Sequence, residues 1–240
     1  MNYDFSHFQK ILEKWEIPFS SEQQEQFVTY YKMLVEKNKV MNLTAITEFD
    51  EVLDKHFLDS IALARYVDLT KSISLIDLGT GAGFPGMPLK IMFPNLKVTL
   101  ADSLNKRIVF LDEVIGELGL TDIQTVHARA EDLAHNSDYR ERYDYCVSRA
   151  VANLSSLSEY CLPFVRIGGT FISYKSGEIE EELAAAKKAI FLLGGQFDQV
   201  IPFQLEGTDL GRSFVLINKD KKTTKTYPRK SGMPTKKPLG

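Results

Sequence analysis

Residues Leu75–Leu89 read LIDLGTGAGFPGMPL. An apolar run from Ser74 to Leu78, interrupted by Asp77, meets glycines at 79, 81 and 83, and Pro85 and Pro88 follow. This order predicts a buried parallel strand ending in a tight turn, whose glycines let the backbone approach a ligand closely. Pro85 would then open a helix, where a missing N–H costs little. The free N–H groups and positive end of that helix would face the ligand. Gly81, Gly83 and Gly86 satisfy G-x-G-x-x-G, a pattern that is weak on its own.

The fuller pattern is Asp-x-Gly-x-Gly-x-Gly, with Asp77 two residues ahead of Gly79. It resembles motif I of the class I S-adenosylmethionine-dependent methyltransferases. An acid there can serve a ligand's amino group, whereas a dehydrogenase strand normally stays apolar to its end. A nicotinamide or flavin site and a purely structural glycine turn are the alternatives.

Outward from this stretch, strands and helices alternate from Ile73 on, as in a doubly wound sheet. The predicted strands are Ser74–Leu78, Lys97–Ala101, Ile123–His127, Tyr143–Ser148 and Thr170–Tyr174. Helices are predicted near 85–93, 104–118, 152–165 and 178–193, and Gly168-Gly169 reads as a break before the fifth strand. Two further extended runs, Gln196–Leu205 and Arg212–Asn218, have no helix between them, which requires an antiparallel hairpin. The fold expected is α/β, a seven-stranded, mostly parallel methyltransferase sheet with a C-terminal antiparallel hairpin, rather than a symmetric dinucleotide fold.

Ahead of it, residues 1–72 read as a helical cap. Phe5, Phe8, Leu12 and Trp15 share one helix face, and Pro18 ends that helix. Ser20-x-x-Gln23 forms a capping box for a second helix with the stripe Phe27, Tyr30, Tyr31 and Leu34. A third helical segment spans roughly 49–66. The division expected is 1–72 cap, 73–218 Rossmann-like domain and 219–240 basic tail.

With 44% hydrophobic and 25% charged residues in 240, the chain has the composition of a globular domain. No apolar run is long enough to cross a membrane, the N-terminus lacks a secretory pattern, and two cysteines, Cys146 and Cys161, make neither a disulfide scaffold nor a metal cluster. A cytoplasmic monomer without metal is expected. The net charge of −3 divides unevenly: residues 219–240 carry eight Lys or Arg against one Asp, about +7, leaving about −10 elsewhere. A basic tail suits a polyanionic partner, and equally a solvated tail that maintains solubility.

Asp102 ends the second strand, where a carboxylate can accept both ribose hydroxyls; it can also cap the helix that begins after Leu104. Ala130-Glu131-Asp132 follows the third strand and could meet an adenine ring, or supply ordinary first-turn acids. Arg149 ends the fourth strand, on the ligand side of an open sheet, and burying it unpaired would be expensive. It is a candidate for a cofactor carboxylate or a substrate phosphate. The Asn- or Asp-Pro-Pro-aromatic run typical of exocyclic-amine methylation is missing, and both cysteines sit inside elements as small apolar residues. His56 and Asp59 in KHFLDS lie one helical turn apart, either as a catalytic pair or as a structural link.

Over nearly its whole length the chain resembles the RsmG (GidB) family of bacterial 16S rRNA guanine-N7 methyltransferases. The residues that carry this are Asn42-Leu43-Thr44, KHFLDS, DLGTGAGFPGMPL, Asp102-Ser103-x-x-Lys106-Arg107-x-x-Phe110-Leu111, AED at 130–132, SRA at 148–150 and YPRKSGMP at 227–234. Lys55 and Thr224 depart from the family's usual Arg and Pro. The resemblance implies S-adenosyl-L-methionine bound by Gly79, Gly81, Phe84, Asp102, Ala130, Glu131 and Arg149. It implies methylation of one guanine at N7, nucleotide 527 in the usual numbering, in 16S rRNA, the small subunit or an assembly intermediate. No general base is then needed, and Arg149 is the positioning candidate. Lys106, Arg107, Arg212, Arg229 and Lys230 could grip phosphates, and Tyr227 could stack. A methyltransferase acting on a non-rRNA substrate and a non-catalytic ribosome-binding module are the rival readings.

Overall fold

A computed structural model describes residues 3–239. Seven strands form one sheet in the order β3-β2-β1-β4-β5-β7-β6. They are β1 Ser74–Leu78, β2 Lys97–Asp102, β3 Ile123–His127, β4 Tyr143–Arg149, β5 Val165–Ser176, β6 Gly195–Gln204 and β7 Gly211–Lys219. β3, β2, β1, β4 and β5 pair in parallel, and β7 enters antiparallel between β5 and β6. The expected class I methyltransferase sheet with its terminal hairpin is therefore present. The chain order reverses between β1 and β4, so the carboxyl ends of these strands open a crevice.

The connecting helices are α5 Gly86–Met92, α6 Asn105–Glu117, α7 Ala130–Leu133, α8 Leu154–Cys161 and α9 Glu180–Leu192. Alternation along the strands divides the core. Leu75 and Val147 face one apolar cluster, while Ile76 and Cys146 face the other, which α8 and α9 cover. The first cluster also takes Phe8 of α1 (Ser6–Lys14), together with Phe27, Tyr30 and Leu34 of α2 (Ser21–Met41). The N-terminal helices thus share a core with the sheet. Ser20 and Gln23 make the capping box, and Gln23 Nε2 also donates to the Ile91 and Met92 carbonyls at the end of α5, 3.0 and 3.2 Å away.

Three local expectations are corrected. The first helix stops at Lys14, short of Pro18, and the chain turns at Glu16 with φ 58°. Gly168-Gly169 does not break the sheet. β5 runs through both residues from Val165, at a register irregularity opposite Tyr143/Tyr145, and a Cβ on Gly169 would lie 2.5 Å from the Asp144 carbonyl oxygen. The third helical segment is continuous but changes pitch: α3 Phe49–Val52, a π-helical stretch Leu53–Leu58, α4 Asp59–Ile61 and a 3₁₀ turn Ala62–Arg65.

The basic tail is docked rather than loose. Lys219 Nζ is buried and donates to the Leu162 carbonyl, 2.6 Å, and to Thr223 Oγ1, 2.5 Å. Arg140 donates to the carbonyls of Thr223 and Tyr227. A short helix, α10 Met233–Lys236, lies against α8, where Ser156 Oγ donates to the Pro234 carbonyl, 2.8 Å.

Candidate active site

A cleft of about 820 Å³ opens at the carboxyl ends of β1, β4 and β5, within the range typical of small-molecule sites. Its floor is the motif loop, Gly79–Ala82 with Phe84; Thr44, His56 and Asp59 of the N-terminal segment and Phe203, Arg212 and Phe214 of the hairpin line its walls.

The motif's glycines do different work from that expected. A Cβ on Gly83 (φ +108°) would lie 2.6 Å from Tyr30 Oη, and one on Gly86 would lie 2.9 Å from Asp77 Oδ2 and closer still to Leu100. On Gly79 it would meet Val151 at 2.6 Å. Only at Gly81 (φ +62°) does a Cβ meet nothing within 4 Å. Three of the four glycines make room for protein, and Gly81 is the one that leaves the cleft floor open.

Asp77 sits among these packed atoms, not at the cleft surface. Its Oδ2 accepts from Thr80 Oγ1 (2.7 Å) and from the Gly86 N–H (2.8 Å). The helix does not begin with Pro85 either. Pro85 is the residue before α5, and the first helical N–H is committed to Asp77 instead of facing a ligand.

Asp102 is buried and multiply held. Oδ2 accepts from the Gly81 N–H, 3.0 Å, and from Arg107 Nη1, 3.1 Å, while Oδ1 accepts from the Leu104 N–H, 2.9 Å. Ala130 and Glu131 are not brought to the cleft wall. Ala130 packs toward the second core, and Glu131 Oε1 accepts from the Gly232 N–H of the docked tail, 2.8 Å.

Gly79, Gly81, Phe84, Arg107, Arg149 and Arg212 do line the cleft. The Arg149 guanidinium lies 5.1 Å from the Phe84 centroid. Among the other RNA candidates, Lys106 and Lys230 are exposed, and Tyr227 packs against the second core. Arg229 is paired with Glu159, which is 0% exposed, Nη2 to Oε2 at 2.6 Å. Arg229 is therefore an anchor of the tail, not a free phosphate grip.

His56 and Asp59 do not pair. The π-helical turn rotates positions three apart away from one face, and each side chain finds another partner. His56 stacks on Phe84, centroids 4.5 Å apart at 18°, and its Nε2 lies 2.8 Å from Thr44 Oγ1. Asp59 instead meets Arg149 and Arg212. Sequence reasoning also missed Lys175, at the carboxyl side of β5, whose Nζ donates to Glu182 Oε1 (2.6 Å) and to the Ala152 carbonyl (2.9 Å). The strand-end rule that singled out Arg149 could have found it.

Two ionisable groups at the site are displaced in opposite senses. Burial raises Asp77 to about 6, against its hydrogen bonds to Thr80 and Gly86. Burial, followed by the nearby Arg149 cation, lowers His56 to about 4. A raised acid contributes stability below its ordinary 3.8 and loses it as pH climbs through about 6. A lowered base does the reverse, its contribution returning between about 4 and 6.5. The two slopes oppose each other in one interval. Melting temperatures between pH 4 and 7 should therefore show a steeper rise for Asp77→Asn than for the wild type, and a fall relative to the wild type for His56→Gln. Three parallel curves would contradict both assignments.

The family described as rRNA small subunit methyltransferase G (GidB) matches residues 23–210. This chain belongs to that family. It is 50% identical over 236 residues to the ribosomal RNA small subunit methyltransferase G of Lachnoclostridium phytofermentans, covering 98% of each chain. It is also 50% identical to the protein of that name from Bacillus cereus, over 98% of this chain and 99% of the relative. Among solved structures, an S-adenosylmethionine-dependent methyltransferase from Aquifex aeolicus matches 70% of this chain and 92% of its own, with TM-score 0.53 and 15% identity. TrmN from Thermus thermophilus matches 70% and 53%, with TM-score 0.52 and 17% identity. These two establish the fold, and the family comes from the sequence relatives. Among the described residues, no helix is long and apolar enough to cross a membrane.

Proposed function

We propose that this protein transfers a methyl group from S-adenosyl-L-methionine to N7 of one guanine in 16S rRNA. The observation that carries this reading is that neither carboxylate lining the cleft is free to act as a base. Asp59 is held by Arg149 and Arg212, and Glu182 by Lys175. His56 is a weakened base whose Nε2 is engaged with Thr44. Guanine N7 presents an unprotonated lone pair at neutral pH, so its methylation requires no proton to be removed. A site that aligns two partners without a general base suits it, because proximity alone is worth up to about 7–11 kcal/mol.

The cleft fits the methyl donor in volume, in the open floor at Gly81, and in Arg149, whose Nε and Nη2 have no protein acceptor among the described residues. When bound, that cofactor supplies an electrophilic methyl on a sulfonium. In this reading Gly79, Gly81 and Phe84 support it, Arg149 meets its carboxylate, and Asp102 takes the ribose hydroxyls as Arg107 gives way. Ala130 and Glu131 follow the neighbouring strand outside the cleft wall, and Glu131 would meet the adenine only on releasing the Gly232 N–H. The helical block 1–72 supplies one wall, and the substrate is the small-subunit RNA, free or in an assembly intermediate. Lys106, Arg107 and Arg212 are the cations on this side available for phosphates.

The test uses labelled S-adenosylmethionine and small-subunit rRNA from cells lacking this protein, followed by chemical cleavage at N7-methylguanine. One labelled guanine is the expected result. Cofactor binding without transfer to RNA would overturn the substrate and favour a methyltransferase of another class. Absence of cofactor binding would favour a non-catalytic ribosome-binding module.

A further inference from the structure

One carboxylate in the cleft serves two arginines that arrive from different parts of the sheet. Arg149 ends β4 and Arg212 lies near the start of β7, with β5 between them. Asp59 reaches them from the N-terminal helical segment, at the point where the π-helical turn gives way to α4. Its Oδ2 accepts from Arg149 Nη1, 2.6 Å, and its Oδ1 accepts from Arg212 Nε, 2.9 Å. The Asp59 side chain is 3% exposed, against 16% and 20% for the two arginines.

Each oxygen orients one guanidinium, and the hydrogen bonds are charge-assisted, the strongest kind available to a side chain. Two cations on one anion leave the wall net positive. Nε and Nη2 of Arg149 and Nη2 of Arg212 have no protein acceptor among the described residues, so each arginine keeps donors for an anionic ligand. The two point to different clients. Arg149 lies over the Phe84 ring, beside the motif loop, whereas Arg212 belongs to the hairpin wall with Phe203 and Phe214.

We propose that Asp59 is a positioning residue that sets both arginines at once, Arg149 for the cofactor carboxylate and Arg212 for a phosphate of the RNA substrate. This rests on the function proposed above. Asp59 touches neither partner of the reaction; it fixes the two donors that do. It also explains why an acid is kept in a cleft built for anions. Without it, two guanidinium groups would repel each other across the wall and swing toward solvent.

The test measures three quantities on the full chain: the affinity for S-adenosylhomocysteine by calorimetry, the affinity for unmethylated 16S rRNA by filter binding, and the melting temperature. Asp59→Asn keeps the shape and removes the charge. It should weaken both affinities by about ten- to hundredfold, the span of one charge-assisted hydrogen bond. Arg212→Gln should weaken RNA binding alone and leave S-adenosylhomocysteine binding unchanged. Should Asp59→Asn fail to fold, the double variant Asp59→Asn/Arg212→Met removes one charge of each sign, and S-adenosylhomocysteine should still bind weakly because Arg149 is unheld.

Wild-type affinities in Asp59→Asn with only a lower melting temperature would overturn the proposal and leave Asp59 a purely structural link. Wild-type affinity for S-adenosylhomocysteine in the folded double variant would overturn it as well. If wild-type protein bound S-adenosylhomocysteine but no RNA, the proposed function would fail, while the calorimetric arm still tested the hold of Asp59 on Arg149.

Discussion

Replacing Arg229 by alanine is expected to lower folding stability by about 3–5 kcal/mol, the cost of leaving a buried charge without its partner. Glu159 is 0% exposed within α8, and Arg229 supplies its backbone N–H, Nε and Nη2 to that carboxylate at 2.6–3.2 Å. Arg229 Nη2 also donates to the Lys237 carbonyl, so the same residue closes the tail on itself. An exposed phosphate grip would behave differently: its loss would change RNA affinity and hardly touch stability. Urea unfolding separates the two. The variant should lose several kcal/mol while the folded fraction still binds S-adenosylhomocysteine, and Arg229→Met combined with Glu159→Gln should recover most of the loss. A drop under about 1 kcal/mol, the range of a surface ion pair, would show that the tail does not depend on this contact. A chain ending at Lys219 therefore reports on stability before it reports on RNA.

The glycine motif gives the second large effect, which two neighbouring alanines should separate. Gly83→Ala places a side chain at φ +108°, where the backbone strain of a left-handed conformation costs about 1–2 kcal/mol. It also drives a Cβ to within 2.6 Å of Tyr30 Oη. That hydroxyl is bonded to the Ala82 carbonyl at 2.5 Å, and displacing it leaves a buried polar group unsatisfied, a further cost of about 1–3 kcal/mol. Gly81→Ala carries the same class of strain at φ +62° and meets no protein atom. Its stability should fall by about 1–2 kcal/mol only. Its Cβ enters the open cleft floor, however, and S-adenosylhomocysteine affinity should fall about ten- to hundredfold, as for overpacking of a fitted site. Melting and calorimetry on the two variants decide the matter. Equal losses of stability, or an unaltered affinity in Gly81→Ala, would mean that the open position does not mark the cofactor path.

The sequence by itself determined the seven strands and their order along the chain, because strand alternation, capping and hairpin geometry are local. Ser74–Leu78, Ile123–His127 and the capping box at Ser20 and Gln23 stand where they were read. It also marked Arg149, since a charged residue at a strand's carboxyl end announces the open side of a parallel sheet. The tertiary structure decided partnership. Asp77, Gly83 and Gly86 look alike in sequence whether they face ligand or protein, and only the packing of Tyr30 and Leu100 against them shows that they face protein. Asp59 pairs with residues 90 and 153 positions away, and Arg229 with one 70 away. No local period encodes such distances. They arise when the N-terminal helices, the sheet and the tail close around shared cores, leaving each buried charge to find whichever opposite charge the fold has brought within reach.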